Sequence, residues 1–172
     1  MIIHNKKYQI LVNDIYNIIV MKIIIQRVLQ ASVTVNFKVV SNINKGYLLL
    51  VSFTYSDNNL IIDKMIDKLL KLRLFEDDKG KINLSINEIK GEILSIPQFS
   101  LYASTKKGNR PSFENVLPSI ESEKLFEYYK KRLTNITKTS NYGIFKADMK
   151  VSLINDGPLT IILDSDELYG KK

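Results

Sequence analysis

Apolar and β-branched residues crowd positions 22–28 (Lys-Ile-Ile-Ile-Gln-Arg-Val) and 31–35 (Ala-Ser-Val-Thr-Val), and a weaker alternation covers 37–43 before Gly46 opens the run 47–53. Short apolar runs bounded by polar and glycine breaks predict strands, and their order predicts an antiparallel meander. The period then changes. After Ser56-Asp57-Asn58-Asn59, whose side chains suit a helix N-cap, Ile62, Met65, Ile66, Leu69 and Leu70 recur at helical spacing, which predicts a helix to about Leu74 with one face on the sheet. Glu76-Asp77-Asp78-Lys79-Gly80 reads as a solvated turn rather than a cation site, because no further oxygen ligands follow at metal spacing. It leads through residues 82–89 to Gly91 and a strand over 92–96. Pro118 and Ser119 start a second helix, with Leu125, Phe126, Tyr129 and Leu133 on one face as core and Glu127 four residues before Lys131.

The last third, 143–164, reads as two strands, 151–154 and 161–163, interrupted by Asn155-Asp156-Gly157-Pro158-Leu159-Thr160. Pro158 has no N–H to give a ladder and Gly157 admits backbone angles closed to other residues, so a strand should break there with its backbone bare. The trans preference of an X-Pro bond is only about 0.5–1 kcal/mol, so a cis peptide is accessible at Gly157-Pro158. Taken alone, the pair also fits an edge-strand turn.

At 172 residues, 45% hydrophobic and 25% charged, the chain has the composition of one globular domain with a sizeable core. We expect a single domain over 21–172. Residues 1–20 have mixed polarity and neither a signal-peptide nor a transit-peptide pattern, so they read as a dispensable extension before a second start at Met21. No run of 18 apolar residues supports a membrane span. The absence of cysteine removes disulfide and thiolate chemistry and suits a reducing compartment, with the cytoplasm as the expected location. A net charge of +7 favours a polyanionic partner such as RNA, although a lysine-rich surface arising from codon bias gives the same count. The lone histidine, His4, lies in the extension. A Ser-His-Asp site or a histidine-ligated metal is therefore out of reach unless His4 folds back, and we expect neither metal nor cofactor. Catalysis must then come from backbone groups, hydroxyls, carboxylates or the substrate.

Several separated motifs, in order, resemble the D-aminoacyl-tRNA deacylases (the D-tyrosyl-tRNA(Tyr) deacylase family) from Met21 to about Asp164. They are Ile25-Gln26-Arg27-Val28 with Ala31-Ser32-Val33-Thr34-Val35, Leu72-Arg73-Leu74-Phe75, Gln98-Phe99-Ser100-Leu101, Thr105-Lys106-Lys107-Gly108 and Asn155 to Thr160. The resemblance implies an α+β fold of mixed, mainly antiparallel barrel-like sheets with two main helices, assembled as a homodimer. It implies hydrolysis of the ester between a D-amino acid and the 3′-terminal adenosine of tRNA as chiral proofreading. Glycine mischarged on tRNA(Ala) is a further implied substrate. Gly157 and Pro158 match a cis element that enters the neighbouring subunit's site, and Arg27 matches the arginine bracing it. Gln98, Phe99 and Ser100 match the catalytic motif, with Ser100 where threonine is usual and Pro97 where serine is commonest. Phe145 and Met149 belong to a segment resembling the one beside the terminal adenosine, where Lys146 replaces a common glycine.

An aminoacyl ester is already activated, so a site needs mainly to hold the carbonyl, stabilise the oxyanion with N–H groups and admit water. Backbone amides around Phe99 and Ser100 are the candidates, with assistance from the adenosine 2′-OH. Ser100 as a nucleophile is the alternative, but the chain offers it no evident base. Lys106, Lys107 and Arg110 follow the motif and suit acceptor-stem phosphates, as a solvated loop also would. Two rival functions remain open: a non-catalytic nucleic-acid-binding module, and a deacylase for mischarged L-alanyl-tRNA, which the Pro97 departure keeps alive.

Overall fold

One long hairpin organises the fold, which the computed structural model describes over residues 21–169. The expected extension 1–20, with its His4, lies outside the described residues. Strand β1 (Lys22–Val35) pairs antiparallel with β3 (Gly46–Ser52) along its first half and with β2 (Lys38–Ile43) along its second. The expected meander is thus replaced by a two-part return strand on one edge of β1. The other edge carries β8 (Lys150–Asp164), again antiparallel. Beyond β3 the sheet turns parallel: β6 (Glu92–Pro97) pairs parallel with β3, and β7 (Ser140–Tyr142) parallel with β6. The sheet order is β2-β1-β3-β6-β7 with β8 on β1, and β2 also contacts β6 and β7, so the sheet rolls into a nearly closed, barrel-like form.

Helix α1 (Asn59–Lys71) starts where Asn58 accepts the Ile61 N–H at 3.2 Å and stops at Leu72, whose backbone is already extended. Leu74 therefore belongs not to the helix but to β4 (Arg73–Glu76), paired with β5 (Ile82–Ser85). The charged turn between them is organised by Asp77, which accepts the N–H groups of Lys79 and Lys81. Helix α2 (Ser119–Ile136) follows Pro118, and a short α3 (Ser165–Tyr169) follows β8. On α2, Glu127 pairs with Lys130 at 2.7 Å rather than with Lys131.

Ile62, Met65, Ile66 and Leu69 of α1 and Phe126, Tyr129 and Leu133 of α2 are fully buried against Ile23, Ile25, Tyr47 and Leu49 of the sheet. Each such side chain contributes roughly 1.5–3 kcal/mol of transfer free energy, enough to fix both helices on one sheet face. A second cluster fills the inside of the curl with Val28, Ala31, Val33, Ile43, Leu48, Leu94 and Ile96. Strand β1 contributes to both clusters, so it changes its buried face midway, where its register with β8 is irregular.

At the entry to β1, the Met21 N–H donates to Asp57 Oδ1 and the Thr54 N–H to Oδ2, both at 2.8 Å. Burial outweighs these bonds and raises the Asp57 carboxyl to about 6, with the negative charge of Asp164 adding to the rise. The folded protein therefore holds this proton more tightly than the unfolded chain. Its stabilising contribution is complete below the unfolded value of 3.8 and disappears as pH rises through about 6. A shift of this size corresponds to about 3 kcal/mol. Asp57→Asn should remove that slope, so the difference in urea midpoint between variant and parent should change between pH 4 and pH 7. A constant difference would refute the assignment.

Candidate active site

The last residue of β6, Pro97, delivers Gln98 to the end of the sheet, where the Gln98 N–H donates to Val51 O at 2.8 Å. The chain then tightens into a 3₁₀ turn, Phe99–Tyr102. Opening N–H groups of such a turn have no partner within it, so those of Phe99 and Ser100 are positioned as donors. The Gln98 side-chain amide donates to Ser100 Oγ.

A cavity of about 770 Å³ opens beside this turn. Gln98 and Phe99 line it, as do Pro97, Phe145 and Met149. The segment after β7 lies against its wall because Gly143 has no side chain: a Cβ there would come within 2.7 Å of Met149 Sδ and 3.2 Å of Ile96 Cδ1. Phe145 is held by Phe126, with ring centroids 6.1 Å apart. Lys146, at φ +65°, reaches Glu123 at 3.3 Å on the rim.

Arg27, Gly157 and Pro158 form a second group that does not line this cavity. Gln26 pairs with Thr160 and Val28 with Asn155, so residues 156–159 bulge out opposite the single residue Arg27. The expected two strands are therefore one strand with an excursion. Asn155 closes its base, accepting the Leu159 N–H at 2.8 Å and donating to Thr160 Oγ1 at 3.2 Å. The buried Arg27 guanidinium braces it, donating to the Asp156 carbonyl at 3.0 Å and to Leu74 O at 2.9 Å, with Asp156 Oδ2 at 3.2 Å. At the crest the Gly157–Pro158 peptide is cis, Gly157 has φ +135°, and both residues are exposed.

The family model for D-Tyr-tRNA(Tyr) deacylase matches residues 24–164. The chain belongs to the D-Tyr-tRNA(Tyr) deacylase family. It is similar to the D-aminoacyl-tRNA deacylase of Lactobacillus acidophilus, 51% identical over 84% of this chain and 99% of that protein, and to that of Lactobacillus helveticus, 47% identical over the same shares. Both relatives are by name hydrolases of an ester bond. Among solved structures, the c-Myc DNA unwinding element binding protein aligns with TM-score 0.79 at 35% identity, over 83% of this chain and 97% of that one. A probable eukaryotic D-amino acid tRNA deacylase aligns with TM-score 0.74 at 17% identity over 84% and 98%, a likeness of fold.

Within the deacylase family frame, sequence reasoning missed part of the cavity wall. Phe113, Val116, Leu117, Pro118, Ser119 and Ser122 line it as well, although Pro118 and Ser119 read only as a helix start. The signal available was Arg110-Pro111-Ser112-Phe113, an aromatic placed straight after the basic loop. Lys106, Lys107 and Arg110 are exposed on that loop and make no ion pair with any described residue. Ser104 and Ser112 pin its ends with two backbone hydrogen bonds of 2.8 Å. Among the described residues, no group of three or more His, Cys, Asp or Glu gathers as a metal site, and no helix is long and apolar enough to cross a membrane.

Proposed function

We propose that the chain hydrolyses the ester joining a D-amino acid to the 3′-terminal adenosine of tRNA, in a site completed by a second copy of itself. The observation that carries the reading is the split between the two groups. One chain offers a cavity lined by Gln98 and Phe99, with Ser100 next along the same turn outside the lining, and it displays a braced, exposed Gly157–Pro158 outside that cavity. Ile162 and Ile154 on the same strand are 62% and 47% exposed, which suits a surface covered by a partner. The terminal adenosine sits between Phe145 and Met149, Gln98 to Ser100 hold the ester, and the partner's Gly-Pro carbonyls receive the α-amino group. Lys106, Lys107 and Arg110 meet tRNA phosphates.

Chirality follows from that wall. With the amino group and the ester carbonyl fixed, a D side chain points to the opening, an L side chain meets backbone, and glycine has nothing to exclude. A steric clash discriminates more sharply than the roughly 1–3 kcal/mol of one methylene in an apolar pocket. Matched charged tRNAs test this: D-tyrosyl- and D-aspartyl-tRNA should be hydrolysed alike, glycyl-tRNA measurably and L-tyrosyl-tRNA almost not at all. Comparable rates on D- and L-tyrosyl-tRNA would overturn the reading and point to Pro97, which lines the cavity, as having reshaped it. Because the structural relative at 35% identity is named for binding a DNA element, nucleic-acid binding without turnover is the second reading. It predicts tRNA binding with no hydrolysis of any ester in the panel.

Ser100 Oγ accepts its hydrogen bond from the Gln98 amide, which is not a base, and that favours water attack assisted by the adenosine 2′-OH. Ser100→Ala should then keep its rate within about tenfold of the parent, the loss of one hydrogen bond. Trapping an aminoacyl ester on Ser100 by mass spectrometry would reverse that assignment.

A further inference from the structure

Two aromatic rings stand exposed on the lip between the cavity and the basic loop. Phe99 is 57% and Phe113 45% exposed, and their centroids are 5.3 Å apart at an interplanar angle of 62°. In an edge-to-face pair one ring turns its edge to its neighbour and keeps its own faces clear of it. Both rings line the cavity, and Phe113 directly follows the Ser104–Ser112 bridge that closes the loop carrying Lys106, Lys107 and Arg110. Large apolar groups left open beside three cations that pair with no described residue form an unusual surface for a free protein. Exposed π-faces flanked by unpaired cations are the chemistry that holds single-stranded nucleic acid, whose bases stack while its phosphates are neutralised.

Resting on the proposed function, we infer that Phe113, supported by Phe99, stacks the unpaired base immediately 5′ of the esterified nucleoside. The direction is set by continuity: a terminal nucleoside in the cavity must leave over the lip, and the basic loop lies beyond it. The substrate unit is then a dinucleotide end rather than one nucleoside, and the base is gripped by its face, so its identity matters little.

Three D-aminoacyl esters test this with the intact chain: of adenosine, of the dinucleotide cytidylyl-adenosine, and of the same dinucleotide with the cytosine removed. For the parent protein, kcat/KM should rise about tenfold or more from adenosine to the dinucleotide, and the abasic ester should lose most of that gain. Phe113→Ala should bring the dinucleotide-to-adenosine ratio close to the abasic value, and Phe113→Trp should preserve it. An abasic ester as good as the dinucleotide would assign the gain to the phosphate and overturn the inference, as would a ratio unchanged in Phe113→Ala. If light scattering shows that Phe113→Ala alters the oligomeric state, a second copy covers the ring and the inference is wrong. Failure of the parent protein to hydrolyse any of the three esters would instead remove the proposed function, and this inference with it.

Discussion

Gly157→Ala is expected to lower kcat/KM for D-aminoacyl-tRNA by at least about a hundredfold, the scale of effect when a wall that positions the reacting group shifts by an ångström. Two features of the excursion lead there. At φ +135° an L side chain is strained, and sites of this kind cost about 1–3 kcal/mol when occupied by residues other than glycine. The new Cβ would also lie 3.0 Å from Leu159 N and 3.3 Å from Arg27 Nη2, so relief must displace either the backbone or its brace. If the pair were only an edge turn, the variant would lose stability while kcat/KM of the folded fraction stayed put. Measuring both the urea midpoint and turnover separates these outcomes.

Arg27→Ala should have the largest effect on stability. Arg27 is 6% exposed, and its guanidinium satisfies Leu74 O and Asp156 O while pairing with the Asp156 carboxylate. Its loss leaves the Leu74 carbonyl buried without that donor and Asp156 without its counter-charge. Removing one partner from a buried pair costs about 3–5 kcal/mol, and Asp156, whose side chain is 30% exposed, places this case at the lower end. For a chain of this length about 3 kcal/mol corresponds to a fall in Tm of roughly 6–12 °C. Arg27→Lys should recover only part, because an ammonium cannot span the same acceptors in a planar fork. A Tm within 2 °C of the parent's for Arg27→Ala would contradict the bracing role; about 2 °C is the smallest shift expected per kcal/mol.

How far the sequence reveals this depends on the range of the interaction. Both long helices follow from local periodicity, as do the runs 22–28 and 31–35, although these join across the exposed Leu29 and Gln30 into the single strand β1; the Asn58 cap and the Pro118 start were visible residue by residue. Leu74 misled because it lies four residues after Leu70 and so continues the helical spacing, whereas the backbone has already turned extended at Leu72. The parallel pairing of β3 with β6 joins segments some 45 residues apart, and nothing local encodes it. At the site, Pro158 announced itself through a missing N–H. Asn155, which closes the excursion, looked like an ordinary turn residue because its partners, Leu159 and Thr160, are set by the bulge. Phe113 drew no reading at all, because a lone aromatic between the basic loop and the Pro118 helix start belongs to neither pattern, and only the Ser104–Ser112 bridge brings it to the cavity.

Because two backbone hydrogen bonds between Ser104 and Ser112 fasten both ends of the basic loop, residues 105–111 can lengthen, shorten or exchange charge without transmitting strain to Gln98 or Phe99. The loop behaves as a cassette. Under the proposed function, ionic-strength sensitivity and the breadth of polyanions accepted would drift by changes there alone, while handedness would stay with the excursion on β8. Swapping the loop between relatives should therefore transplant salt dependence without moving the D-to-L ratio.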